Sequence, residues 1–291
     1  MRRLAAVIAA GVLLVYGGIS VYAANEFTRT ERRPPDVAAA VAVGVTYEDV
    51  SFRSSDGKLL RAWLFPRGDR AVVMVHGKDG RRLDGERTIA LARALTANGY
   101  TVLALDLRGH GESEGDRFSL GEYERLDVAA AVGFLEQRGV IARRIALFGE
   151  SMGAGTVIQT LVVRPDVGAV VADSSYASAD VVVQEQVAHE TGLPSFFAPG
   201  ILLAARAFGL DADQAVPVAI VRAHPEKAFL FIHCDADQIV YLHHARELRA
   251  ASANPGSDLW IVSGCAHVRA HDAQPAAYEA LVLAFLAAQL R

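Results

Sequence analysis

Ser151 stands in Gly149-Glu150-Ser151-Met152-Gly153, directly after the apolar run Ile145-Ala146-Leu147-Phe148 and at the start of a segment that reads as helix. A serine lifted onto a sharp strand-to-helix turn must accept a strained backbone between a helix and neighbouring strands. Glycines two before and two after it remove the Cβ atoms that would clash there. The helix that follows points its unpaired N–H groups at the serine, where they can stabilise a developing oxyanion. A serine hydroxyl is a weak nucleophile at neutral pH. It needs a base beside it, and that base needs an acceptor that fixes its tautomer. Both are on offer further along the chain. Cys234-Asp235-Ala236-Asp237 follows the apolar run Phe229 to His233, and Ser263-Gly264-Cys265-Ala266-His267 follows Leu259 to Val262. This is the equipment of nucleophilic acyl transfer. On residue types alone, Asp235 competes with Asp237 for the acid and His271 with His267 for the base. Asp173, beside Ser174-Ser175, reads rather as a cap or a lining group.

These side chains need a sheet whose strand ends bring them together. Val45 to Phe52 and Leu59 to Phe65 flank the turn signal Ser54-Ser55-Asp56-Gly57, which predicts an antiparallel hairpin. Unbroken apolar runs follow at Ala71 to Val75, Thr101 to Leu105, Ile145 to Phe148 and Ala169 to Ala172, as strands buried on both faces require. Between them, Ile89, Ala92 and Leu95 precede Asn98-Gly99, and Val128, Val132 and Leu135 precede Gly139, each a helix with its stop. The alternation implies a mostly parallel, doubly wound sheet, and two last strands and a helix from about Pro275 to Leu290 close it. From 179 to 210 the pattern changes: apolar residues broken by Pro194, Pro199 and Gly200 predict two short helices joined by a kink, either a cap over the site or a further piece of core.

The N-terminus differs from the rest. Met1-Arg2-Arg3 precedes an uncharged, mostly apolar stretch from Leu4 to Ala24, long enough to span a bilayer as a helix. Residues 1–25 are therefore expected to be a signal anchor or a cleaved signal, residues 26–44 a tether, and residues 45–291 the catalytic domain. The length of the apolar run favours the anchor. With the leading arginines inside, the bulk of the chain is exported, although Arg29, Arg32 and Arg33 beyond the span weaken that bias. A formal charge of -4 with no basic run argues against nucleic acid as a partner.

The combined motifs make the chain resemble an α/β-hydrolase with a serine nucleophile, of the small esterase and acylglycerol-lipase type. They are the serine motif, His76-Gly77 after one strand, Asp106-Leu107-Arg108-Gly109-His110-Gly111-Glu112-Ser113 after the next, and the aspartate and histidine loops. The resemblance runs from about Val45 to the C-terminus. It implies Ser151 as nucleophile, Asp237 as acid, His267 as base, the backbone N–H groups of Lys78 and Met152 as the oxyanion hole, and no metal or organic cofactor. It also implies a small ester or other acyl compound as substrate, with thioesters, amides and peptides open to the same triad. Two features depart from the family pattern. His233-Cys234 stands where His-Gly is usual, and Lys78 is an uncommon occupant of its position, read here as solvated beside Arg81 and Arg82. His76, His110 and His233 are expected to be structural, and His243-His244 to sit on an exposed helix start.

Other readings of the same residues can be set beside this one. Cys234, Asp235, Asp237, Cys265, His267 and His271 would make a zinc set if the two loops are adjacent, but that leaves the serine motif without a purpose. The same adjacency would let Cys234 and Cys265 bond in an oxidising compartment and pin the acid loop to the base loop. A membrane-tethered binding module on a hydrolase fold is the rival from outside catalysis.

Overall fold

The computed structural model describes residues 1–291. Eight strands form one sheet: β1 (Glu48–Arg53), β2 (Leu59–Phe65), β3 (Arg70–Val75), β4 (Tyr100–Asp106), β5 (Ile145–Glu150), β6 (Ala169–Asp173), β7 (Phe229–Cys234) and β8 (Asp258–Val262). Their order is β1-β2-β4-β3-β5-β6-β7-β8. Strand β2 runs antiparallel to both β1 and β4, and all other neighbours are parallel. The chain winds one way from β3 to β4 and the other way from β3 to β5, so the crevice at the carboxyl ends of β3 and β5 is the topological switch point where such sheets bind ligands.

The helices are α1 (Arg2–Thr28), α2 (Val37–Ala42), α3 (Glu86–Ala97), α4 (Glu124–Gln137), α5 (Met152–Thr160), α6 (Ala179–Thr191), α7 (Ala198–Ala205), α8 (Pro217–Ala223), α9 (Leu242–Ala251), α10 (Ala270–Ala273) and α11 (Pro275–Gln289). Alternate residues of the central strands feed two cores. Val73, Val75, Ile145 and Leu147 pack with α4 and α5 on one face, while Val72, Met74, Ala146 and Phe148 pack with α3 and α11 on the other. Both faces are thus apolar, which is why the strands read as unbroken hydrophobic runs.

In the region expected to be the cap, the break falls at Gly192, in the left-handed conformation at φ 68°, and at Pro194. Pro199 does not interrupt α7. It lies in that helix's first turn, where a missing N–H costs nothing.

The N-terminal segment is more engaged with the domain than a spanning helix and a free tether would be. Residues 4–15 are exposed, but from Tyr16 onward α1 packs on α7. The Tyr16 ring stacks on Phe197 at 4.9 Å, and its hydroxyl donates to the Phe196 carbonyl at 3.0 Å. Ala23, Ala24 and Thr28 are buried. Beyond the helix, the Thr30 N–H donates to the Asp116 carbonyl, the Glu31 N–H to Asp79, and Arg33 to Asp84. The polar composition that suggested a spacer instead supplies hydrogen bonds to the loops beneath it.

Candidate active site

Ser151 lies between β5 and α5 with φ 54° and ψ −119°, a conformation an L-residue adopts only under constraint. Its own N–H donates to the Asp173 carbonyl at the end of β6, 2.8 Å away. The glycines of the motif are steric necessities. A Cβ on Gly149 would stand 2.3 Å from the Gly153 oxygen, and one on Gly153 would stand 2.4 Å from the His76 oxygen. Removing both Cβ atoms lets the helix start close against β5 and the end of β3.

The structure brings His267 and Asp237 to the serine from two other strand ends. His267 Nε2 lies 2.8 Å from Ser151 Oγ, and Nδ1 lies 2.7 Å from Asp237 Oδ2. The other oxygen of Asp237 accepts from the N–H groups of Ile239 and Val240 at 2.8 and 2.9 Å. Burial opposes ionisation of Asp237. The hydrogen bond and charge of His267 and the two backbone donors outweigh it and hold the carboxyl below its ordinary value. The competing residues lie elsewhere. Asp235 accepts from the Gly264 N–H at 2.7 Å, and His271 pairs with Glu279 at 3.0 Å.

A disulfide joins Cys234 to Cys265, whose Cα atoms are 5.2 Å apart. The two loops are also stitched by Asp235 N–H to the Val262 carbonyl and Ala236 N–H to the Cys265 carbonyl. The zinc set therefore does not assemble, because its two thiols are bonded to each other and His271 faces away.

Met152 opens α5, so its N–H is one of the helix-start donors without an intrahelical partner. The Lys78 N–H, across the crevice after β3, makes no hydrogen bond within the protein. Its direction is set by a buried histidine. The Leu107 N–H donates to His76 Nε2 at 3.1 Å, which leaves the proton on Nδ1 to donate to the Gly77 oxygen at 2.6 Å. That oxygen belongs to the same peptide group as the Lys78 N–H. Burial, and next the neighbouring His110, push His76 down to about 4, so it stays neutral in this role. His110 repeats the device one residue on, accepting from the Asp79 N–H at 3.1 Å.

The charged residues of this loop are not the solvated run their sequence suggested. Arg82 is buried, with Nη2 2.6 Å from a fully buried Asp106 and 2.8 Å from Glu112. Lys78 Nζ lies 2.6 Å from Glu190 of α6 and 5.1 Å over the Phe27 ring of α1. His244 is likewise buried, accepting from the Ala177 N–H and meeting Glu185, while its neighbour His243 is exposed as expected. Beneath the serine, Glu150 is held by both arms of Arg87 at 3.0 Å, and Asp173 accepts from the Tyr278 hydroxyl at 2.8 Å. Burial first and the charge of Glu150 second push Asp173 up to about 7. Sequence reasoning missed this layer because nothing local distinguishes a carboxylate under a site from one on the surface.

These groups open on a cavity of about 440 Å³. Ser151, Met152, Lys78 and His267 lie on its floor side, α6 adds Val182, Val183, Gln186 and Glu190, and α1 adds Phe27. Phe27 falls within the stretch expected to be tether, and only the packing of α1 puts it here.

Residues 66–216 match the family model described as serine aminopeptidase, S33, a stretch that contains Ser151 but ends before Asp237 and His267. An uncharacterised protein of Bacillus subtilis, YqkD, is 29% identical over 222 residues, covering 74% of this chain and 70% of that protein. An uncharacterised protein of Mycobacterium tuberculosis, Rv2307c, is 32% identical over 177 residues, 58% of this chain and 61% of its own length. The solved esterase Pf2001 of Pyrococcus furiosus has the same fold, with a TM-score of 0.75 at 24% identity over 90% of this chain and 100% of that one. By a family pattern that takes in more than half of its residues, on the sheet order and serine elbow described above, the chain belongs to the S33 serine aminopeptidase family of α/β hydrolases.

Proposed function

We propose that the protein is a serine hydrolase that cleaves carboxylic esters through an acyl-enzyme. Ser151 Oγ attacks the ester carbonyl carbon while His267 Nε2 takes its proton. The N–H groups of Met152 and Lys78 stabilise the tetrahedral oxyanion, and a donor of that kind contributes about 10²–10³ in turnover. As the intermediate collapses, His267 returns the proton to the leaving alkoxide, and the acyl group stays on Ser151. Water then repeats the sequence, giving up a proton to His267 and releasing the acid. Asp237 holds the imidazole in the required tautomer and balances its charge.

The observation that carries this reading is the hydrogen-bonded line from Ser151 Oγ through His267 to Asp237, at 2.8 and 2.7 Å, facing the cavity. The cavity's own charges favour an uncharged acyl compound over a peptide with a free amine. Each carboxylate along it is already engaged: Glu190 with Lys78, Glu150 with Arg87, Asp84 with Arg33, and Asp79 with the Glu31 N–H. Only Asp79 lacks a close cationic partner, its nearest being Lys78 at 4.0 Å, so little free negative charge is left to hold an α-ammonium.

The same reading attaches the enzyme to a membrane by α1, with the catalytic domain exported. The apolar helix supports the first half, and the Cys234–Cys265 disulfide, which persists in oxidising compartments, supports the second.

The test is to treat the full chain with a fluorophosphonate and assay a graded series of 4-nitrophenyl esters. Labelling at Ser151, ester turnover, and a loss of about 10⁴-fold or more in Ser151→Ala at unchanged folding are expected. An unlabelled, folded protein without turnover would leave the binding module as the better reading.

A further inference from the structure

The cavity before Ser151 abuts a second one beside α1. Phe27, Lys78 and Glu190 line the first, and the same three residues line the second, of about 530 Å³, which runs along α1. The rest of the second wall is Gly18, Ile19, Tyr22, Ala23 and Glu26 from α1, Thr191 at the end of α6 and Leu193 from the turn after it, apolar but for Glu26 and Thr191. At the neck the Lys78–Glu190 ion pair closes over the Phe27 ring. The loop that carries the Lys78 N–H, the helix that roofs the site, and the N-terminal helix therefore meet at one point.

The placement of α1 indicates what this second cavity faces. The helix is apolar enough to cross a bilayer, with a mean hydropathy of 2.3 over its best window. Residues 1–15 are exposed throughout, and the uncharged part of that stretch is residues 4–15. They cover roughly 18 Å at 1.5 Å per residue, short of the roughly 30 Å of hydrocarbon in a bilayer. The turns from Tyr16 to Ala23 must then reach into the lipid surface, and they are the turns that wall the groove. Phe196, beside Tyr16, is 63% exposed, which suits a residue resting among headgroups and chains.

We propose that α1 is a wall of the substrate-binding site as well as an anchor, and that the substrate is a membrane-resident ester with a long acyl chain. The chain lies in the groove between α1 and the α6–α7 turn, crosses the neck at Phe27, Lys78 and Glu190, and presents its carbonyl to Ser151. This rests on the serine-hydrolase reading above.

Gly18 offers a clean way to block the route, since a Cβ there meets nothing within 4 Å. The full chain in phosphatidylcholine vesicles is assayed with 4-nitrophenyl acetate from the water and 4-nitrophenyl dodecanoate dissolved in the lipid. Gly18→Trp lowers the dodecanoate-to-acetate ratio by about tenfold or more, while Val12→Trp, on the exposed part of the helix, leaves the ratio as it was. A second measurement uses the unaltered protein. A long-alkyl fluorophosphonate with a terminal diazirine is attached to Ser151 and illuminated, and its crosslinks fall within α1. An unchanged ratio in Gly18→Trp, or crosslinks confined to other elements, overturns the route, while acetate turnover and labelling still uphold the hydrolase. Absence of both acetate turnover and labelling in the unaltered protein overturns the hydrolase reading and the route with it.

Discussion

At the scale of single residues, the site combines left-handed backbone at Ser151, Asp79, Leu120 and Val268 with several buried groups whose protonation is set by their surroundings. The positive φ of Ser151 is tolerated because its N–H is tied to β6 and two missing Cβ atoms make room around it. Burial that keeps His76 neutral also makes it useful, because the one remaining ring proton orients the Gly77–Lys78 peptide. Asp173 is the opposite case, a carboxyl whose pKa burial and Glu150 raise to about 7. In the unfolded chain its value is 3.8, so between the two values the native state binds the extra proton. Its contribution to stability is complete below 3.8 and is lost as pH rises through about 7. Asp173→Asn, which cannot ionise, is therefore expected to stabilise the protein at pH 8 relative to the parent and to give no such advantage at pH 4. Urea unfolding at the two pH values checks this, and an equal difference at both would mean the carboxyl titrates as it does in water.

At the scale of elements, the acid loop and the base loop form a single unit because β7 and β8 are parallel neighbours with Cys234 opposite Val262. The disulfide closes a separation of 31 residues around the segment that carries Asp237. In the loop-entropy account, a crosslink of that length contributes about 3–4 kcal/mol. Cys265→Ser should lower stability in urea by about that amount, and it should reduce kcat more than KM, because the Asp237–His267 alignment is loosened while the cavity wall is kept. Unchanged kcat with lowered stability would mean the backbone stitches between the loops suffice. The strands and the helices between them were legible as elements, since a sheet buried on both faces must be written in unbroken apolar runs. The charged loop after β3 was not. Lys78, Arg81 and Arg82 have the composition of a solvated run, and it takes Asp106 and Glu190, 24 and 112 positions away, to turn Arg82 inward and Lys78 toward the cap.

At the scale of the whole molecule, α1 packs its second half on the domain and leaves its first half exposed. Its second half packs on α7, with Tyr16 on Phe197 and both Tyr16 and Ser20 beside Gly200, so a chain starting at Glu31 is expected to leave the membrane but to expose that face. The full chain should stay with membranes through an alkaline carbonate wash, and the shortened one should come off and aggregate unless detergent replaces the helix. A shortened chain that is monodisperse without detergent would show that the α1–α7 contact contributes little. The sequence by itself determined the doubly wound sheet, the serine elbow, the order of serine, aspartate and histidine, and the apolar N-terminal helix. These follow from periodicity, glycine sterics and hydrophobic length, which act over a few neighbouring residues. Only the tertiary structure decided that His267 rather than His271 faces Ser151, that Asp237 rather than Asp235 pairs with that histidine, that the two cysteines meet, and that Phe27 lines the cavity. Each of those outcomes depends on which strand ends lie side by side and where a helix comes to rest, and local residue patterns carry no record of either.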